Sequence, residues 1–277
     1  MVLKSYTPIL HYSISKSSER TFMPLDNQKP ESVQENDIAQ ALIRPMDYEV
    51  TRHILNNVLL KLWDAIDELT KLRARKTRFF QVTIFGSARI HPGTPAYEAT
   101  KDLSAKLAAM GCHIVTGGGP GLMQAANEGA LLGAPDHPER SIGIRVDLPF
   151  EQKVNDYVGE VYQHKSFFSR LHHFILRSNA YIVTPGGIGT TLELMMVWQL
   201  LQVRKLYDTP VLLVGKMWTD LLQWARSHMV ESGHNLADAV DMQIPQCVDC
   251  LDDAAAVIRK HYERWEREEE LPEESSV

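Results

Sequence analysis

Residues Ala180-Tyr181-Ile182-Val183-Thr184-Pro185-Gly186-Gly187-Ile188-Gly189-Thr190-Thr191-Leu192-Glu193 pass from an apolar run, through a glycine turn, into a helix-forming stretch. Aromatic and β-branched side chains suit a buried, pleated strand, and the apolar positions over Thr190–Val203 suit a helix. A strand that breaks at glycines and enters a helix at once is half of a strand-helix-strand crossover, which parallel neighbours require.

The same rhythm extends outward in both directions. The spacing predicts strands at Gln81–Phe85, His113–Thr116, Ser141–Val146 and Pro210–Val214, and helices at Tyr97–Met110, Pro120–Leu132, Phe167–Ser178, Trp218–Val230 and Asp252–Trp265. Strands alternating with helices of this length imply right-handed crossovers and a doubly wound, mostly parallel, Rossmann-like α/β sheet. The expected organisation is a single such domain over 77–265. A flexible arm (1–45) rich in Ser, Gln, Pro and Glu and an N-terminal helix (46–76) precede it, and an acidic tail (266–277) follows. In the helical extension Ile54, Val58, Leu59, Leu62, Ile66, Leu69 and Leu72 recur at three- or four-residue spacing, a stripe suited to packing on the domain or on a partner subunit.

The chain has 277 residues, 44% hydrophobic and 23% charged, which is ordinary globular composition and excludes a fibrous or wholly disordered protein. Its net charge of −6 provides no basic field for a nucleic-acid polymer. Three cysteines are too few for a disulfide framework and fit a reducing compartment. With no sustained apolar span and no signal-like N-terminus, the protein is expected to be soluble, cytoplasmic and free of the membrane.

Three strand ends carry the chemistry: Gly86-Ser87-Ala88-Arg89, Gly117-Gly118-Gly119-Pro120-Gly121, and Pro185-Gly186-Gly187-Ile188-Gly189-Thr190. Each lies between a strand and a helix, where unpaired backbone N–H groups and the helix dipole favour an anion such as phosphate. The usual nucleotide motifs do not fit. The first strand lacks G-x-G-x-x-G, and neither glycine loop ends in the Lys-Ser/Thr of a P-loop, which argues against a standard NAD site and against ATP hydrolysis. The loops can hold a single phosphate, with Thr190 adding a hydroxyl donor. Glu193 follows one turn later and can project a carboxylate into the same cleft. Arg170 opens the preceding helix, and its planar guanidinium suits oxygen recognition.

The stretch Pro185–Glu193 resembles the P-G-G-x-G-T-x-x-E signature of the Lonely Guy (LOG) family of nucleoside 5′-monophosphate phosphoribohydrolases, whose members activate cytokinins. Gly117–Met123 with Ala125-Ala126-Asn127 is similar to the family's first glycine loop. Gly86–Arg89 is similar to its opening strand end, and Ser141–Glu151 to the I-G-x-x-x-x-L-P-F-E segment of its longer bacterial members. The likeness covers residues 78 to 260. It implies Arg170 and Glu193 as catalytic residues, and Ser87, Arg89, Gly118, Gly119, Gly121, Leu122, Met123, Pro185, Gly186, Gly187, Gly189 and Thr190 as the substrate and phosphate site. Leu171 stands where the family usually has Lys. Glu151 and Asn155 follow the longer relatives, with no role assignable from the residues themselves.

The implied reaction is N-glycosidic hydrolysis of a cytokinin riboside 5′-monophosphate or an AMP-like nucleotide. Glu193 would stabilise the oxocarbenium and handle the attacking water, and Arg170 would keep Glu193 ionised. No metal or cofactor is expected, and the resemblance implies a homodimer. Members have often been labelled lysine decarboxylases, but no lysine here sits in a recognisable pyridoxal-phosphate setting. The alternative is a non-catalytic nucleotide or molybdenum-cofactor carrier of the same fold, for which an Arg170 and Glu193 pair is not needed. A structural interaction module would leave both glycine loops unexplained.

Cys247-Val248-Asp249-Cys250 has C-x-x-C spacing without a second pair of ligands. His172 and His173 are adjacent and point apart. Met195, Met196, Trp198 and Trp224 suit packing rather than a cofactor.

Overall fold

The computed structural model describes residues 52, 54–62, 78–147 and 153–270, without side-chain detail for 268–270. The expectations for the arm, for most of the N-terminal helix, for Glu151 and for the end of the tail fall outside these residues. Residues 54–62 are helical, and Ile54, Val58, Leu59 and Leu62 are exposed there.

Seven parallel strands form one sheet: β1 Gln81–Phe85, β2 His113–Thr116, β3 Ser141–Val146, β4 Glu160–His164, β5 Ala180–Val183, β6 Val211–Val214 and β7 Pro245–Val248. Their order is β4-β3-β2-β1-β5-β6-β7. The chain therefore winds outward from β1 in one direction, returns to β5 beside it, and winds outward in the other. The helices are α1 Pro95–Ala109, α2 Leu122–Gly133, α3 Phe167–Arg177, α4 Ile188–Gln202, α5 Lys216–Ala225 and α6 Leu251–Glu270.

Side-chain alternation gives the central strands two buried faces. Val82, Ile84, Ile114, Ile182 and Leu212 pack with Leu103 and Leu107 of α1, Ala126 and Ala130 of α2, and Ala254 and Ile258 of α6. Phe85, Val115, Ile142, Tyr181, Val183 and Leu213 pack with Phe174 and Ile175 of α3, Leu194 and Val197 of α4, and Trp218 of α5. Each large apolar side chain so buried contributes about 1.5–3 kcal/mol. This double burial is why the central strands read as continuous apolar runs.

The two edge strands were not predicted. In β4 Val161 is exposed and its neighbours are half-buried, while β7 begins at Pro245 and leaves Gln246 and Cys247 exposed. An edge strand with one wet side carries too few apolar residues to announce itself. Every helix is offset from its predicted bounds by a residue or two, and two C-termini differ by five. α6 continues five residues past Trp265, and α5 ends at Ala225, where a π-turn over Arg226–Val230 closes with Glu231 N–H donating to the Arg226 carbonyl at 3.0 Å.

His113 begins β2, nearly buried and stacked on Phe79 with ring centroids 4.4 Å apart. Burial, reinforced by the Arg140 charge, pushes its pKa down to about 4. The folded state thus resists the proton that the unfolded chain accepts near pH 6.5, so stability is fully present above that pH and is lost as pH falls toward 4. The melting temperature is expected to drop across this window, and to drop less in His113→Phe. An equal drop in the variant would remove His113 as a cause.

Candidate active site

β1 and β5 are neighbours whose chains leave in opposite directions, so the loops after them diverge and open a crevice at the carboxyl edge of the sheet. Backbone bonds tie the three loops together there. The Ser87 N–H donates to the Pro185 carbonyl at 3.1 Å, and the Leu122 N–H donates to the Ser87 carbonyl at 2.9 Å. Gly121 makes this approach feasible. Its φ is +73°, and a Cβ on it would lie 2.6 Å from the Ala88 carbonyl carbon.

Arg170, in the first turn of α3, ion-pairs through Nη2 with Oε1 of Glu193 in α4. Their side chains are 14% and 10% exposed, so the pair is largely removed from water. The same Nη2 lies 3.6 Å from the point where a Cβ on Gly117 would stand, which sets the pair against the first glycine loop. The guanidinium also lies over the Phe174 ring, 5.5 Å from its centroid, while the buried Arg170 Nε has no hydrogen-bond partner among the described residues. A buried N–H so left is costly unless another group meets it.

The N-terminus of α4, like those of α2 and α5, has a glycine at the cap and no side-chain cap. Ser166 caps α3 and Thr94 caps α1 through their side-chain oxygens, but α4 begins at Gly187, which has no side chain to offer. The first-turn N–H groups of Ile188, Gly189 and Thr190 consequently have neither a helical partner nor a side-chain cap. Thr190 is buried and its hydroxyl folds over Gly186, where any Cβ would strike it. Gly187 and Gly189 face open space.

The other expected residues divide by environment. Ser87 is half-buried with Oγ accepting from the Arg89 N–H at 3.1 Å, and Arg89 is exposed. Gly118 and Gly119 are buried in the loop, with Met123 against Gly117 and Gly119. Pro185 packs its ring by Gly215. Leu122 lies at the back of the loops. Its side chain is fully buried with Tyr97 and Ala125, and its N–H is taken by Ser87, so it braces the loops from behind. Leu171 likewise faces the interior, at 8% exposure.

One residue escaped the sequence reading, and another was named there without a role. His164, at the end of β4, bonds through Nε2 to Nδ1 of His173 at 2.9 Å and through Nδ1 to the Ser169 hydroxyl at 3.0 Å, beside Arg170. Burial pushes both imidazoles down, His173 to about 4, and the Arg170 charge adds to the effect at His164. Asn155 donates from its backbone to the Gly118 carbonyl and from Nδ2 to the Gly119 carbonyl, each at 2.9 Å. Neither residue lies in a glycine loop, and only the fold brings Asn155 to one. Among the described residues no group of three His, Cys, Asp or Glu side chains could hold a metal ion, and no helix is long and apolar enough to cross a membrane.

A family model described as "possible lysine decarboxylase" matches residues 123–260. A rice protein (Oryza sativa subsp. japonica) named as a probable cytokinin riboside 5′-monophosphate phosphoribohydrolase is 30% identical over 125 residues. That match spans 44% of this chain and 57% of the rice protein. Among solved structures, the molybdenum-cofactor carrier protein of Chlamydomonas reinhardtii superposes with a TM-score of 0.47 at 19% identity, over 68% of this chain and 99% of its own. The molybdenum-cofactor binding protein of Rippkaea orientalis gives 0.48 at 18% identity, over 67% and 98%.

Proposed function

We propose, from the premise that this chain belongs to the LOG family, that it hydrolyses the N-glycosidic bond of a nucleoside 5′-monophosphate to a free base and ribose 5-phosphate. The observation that carries the proposal is the buried Arg170–Glu193 pair, set against one glycine loop and one turn inside the helix that begins at the other. A carrier needs the loops; it has no use for a carboxylate held there at a desolvation cost of several kcal/mol per ion.

In the reaction the C1′–N bond breaks with its electron pair leaving on the base, and water adds its oxygen to C1′. The Glu193 carboxylate faces the cationic sugar of the transition state and takes the proton that the water gives up, while the departing base takes a proton from solvent and Glu193 returns its own there, so that water ends as the hydroxyl on C1′ and the hydrogen on the base. Arg170 keeps Glu193 anionic and oriented. The 5′-phosphate is held by the N–H groups of Ile188–Thr190 and of Gly119, with Ser87 and the rest of the 118–121 loop closing the wall around the sugar, so that binding remote from C1′ positions the reacting carbon.

Gly189 supports the phosphate assignment independently. It lies in the first turn of a helix, has no positive φ, and a Cβ there would meet nothing within 4 Å. The fold would tolerate alanine, which is favoured by about 0.8–1 kcal/mol in a helix. A close-approaching ligand explains the glycine. Gly189→Ala is expected to keep or slightly raise the melting temperature while weakening nucleotide binding at least several-fold by calorimetry. Unchanged affinity would remove the phosphate from this turn.

The rice relative's name points to a cytokinin nucleotide as the substrate. Incubation with AMP, GMP, CMP and isopentenyladenosine 5′-monophosphate, followed by chromatography of base and ribose 5-phosphate, tests both the reaction and the preferred base. No release from any of them alongside measurable binding would replace the enzyme with the carrier reading. A homodimer belongs to the same proposal, supported by the exposed apolar side chains of Phe168, Ile188 and Leu192 on the two helices that carry the pair. Sedimentation velocity in the assay buffer reads its mass, and a monomer alone would remove it.

A further inference from the structure

Asn127 and Asn155 form the centre of a polar network behind the 117–121 loop. Asn127 Oδ1 accepts from the Thr116 hydroxyl at 2.7 Å and from Asn155 Nδ2 at 3.0 Å, and its Nδ2 donates to Ser141 Oγ at 2.9 Å. Thr116 Oγ1 in turn accepts from the Gly118 N–H at 2.9 Å. Asn155 divides its two amide hydrogens between Asn127 and the Gly119 carbonyl, gives its backbone N–H to the Gly118 carbonyl, and accepts at Oδ1 from the Tyr157 N–H at 3.1 Å. Every donor of Asn155 is thus engaged.

These bonds decide which way the loop faces. Gly118, with φ of +70°, and Gly119 are conformationally permissive, so the peptide units joining them could present either edge to the crevice. In a trans peptide C=O and N–H point in opposite directions, so drawing the Gly118 carbonyl toward Asn155 turns the Gly119 N–H the other way. The Gly119 carbonyl is drawn back as well, and it precedes Pro120, which has no N–H. Carbonyl dipoles that would repel an anion are thereby withdrawn, and a donor is presented in their place.

We propose that Asn155 is a positioning residue for the 5′-phosphate-bearing substrate: its amide sets the orientation of the Gly118–Gly119 peptide and so selects the anion-accepting face of the loop. The proposal rests on the nucleotide reading above for its ligand, but not on hydrolysis. Nothing in the local sequence marks Asn155 for this work, since it stands 36 residues from Gly119.

The test compares AMP with adenosine, which lacks the phosphate, by calorimetry on the wild type, Asn155→Ser and Asn155→Asp, with melting temperatures recorded for each. Asn155→Asp is isosteric and keeps the acceptor for Tyr157, whereas Asn155→Ser removes the amide without adding charge. Both are expected to weaken AMP binding by about tenfold, the worth of one hydrogen bond to a charged group, and to leave adenosine within about twofold. In turnover the loss should fall on KM more than on kcat. Equal weakening of AMP and adenosine, no weakening of either, or a wild type that does not prefer AMP overturns the proposal. Base release failing while the AMP preference and its loss persist would overturn the hydrolysis alone.

Discussion

Glu193→Gln is expected to lower kcat for base release by roughly 10²–10⁴-fold, the range for removing a general base, with little change in KM. The amide keeps the volume and one oxygen toward Arg170, so the fold is retained while both the proton acceptor and the negative charge facing the oxocarbenium are lost. Glu193→Ala is the less clean probe. It strands the Arg170 guanidinium, 14% exposed, without its counter-ion, and breaking a buried pair from one side costs about 3–5 kcal/mol. Activity lost in the alanine variant could then report unfolding, and only the glutamine variant separates chemistry from stability. Single-turnover release of base from the nucleotide that the wild type prefers is the measurement. A kcat within about threefold of wild type, far inside the range for a general base, would dismiss Glu193 as the acceptor.

Gly121→Ala should have the largest effect on the fold. The residue sits at φ +73° and ψ −133°, a conformation that costs a non-glycine residue about 1–3 kcal/mol. Its Cβ would also run into the Ser87 carbonyl oxygen and lie 2.6 and 2.8 Å from the Ala88 carbonyl carbon and Cα. All three are backbone atoms, so no rotamer change relieves the overlap, and the 86–89 loop must move at a further cost of about 1–3 kcal/mol. Movement there breaks the bonds that link Ser87 to Leu122 and to Pro185, so the loops lose their register with one another. At about 2–4 °C per kcal/mol for a domain of this size, the melting temperature is expected to fall by roughly 5–15 °C. A fall below about 2 °C would mean that the loops separate without penalty. Gly189→Ala is the informative contrast, because it alters a glycine that the fold does not require.

The central sheet was legible because its strands are buried on both faces. β1, β2 and β3 occupy the residues that periodicity assigns them, and β6 agrees to within one residue. Arg170, Glu193 and the glycine loops were legible for a related reason. A strand-to-helix junction is local, and its unpaired amides follow from a few consecutive residues. The burial of Leu122 was not legible, because a leucine beside a glycine loop reads the same whether it faces ligand or core. His164 was overlooked because it ends a strand with no apolar signature.

Order along the chain therefore determined the alternating α/β plan, the two glycine loops and the residue types available for chemistry, since backbone period and junction chemistry act over a handful of neighbours. The tertiary structure alone decided the rest. It set the sheet order, the closure of Arg170 on Glu193 across 23 positions, and the reach of Asn155 to a loop 36 positions away. Polar groups removed from water must find partners wherever the packed core leaves them, and those partners are chosen by which strand ends converge rather than by distance along the chain.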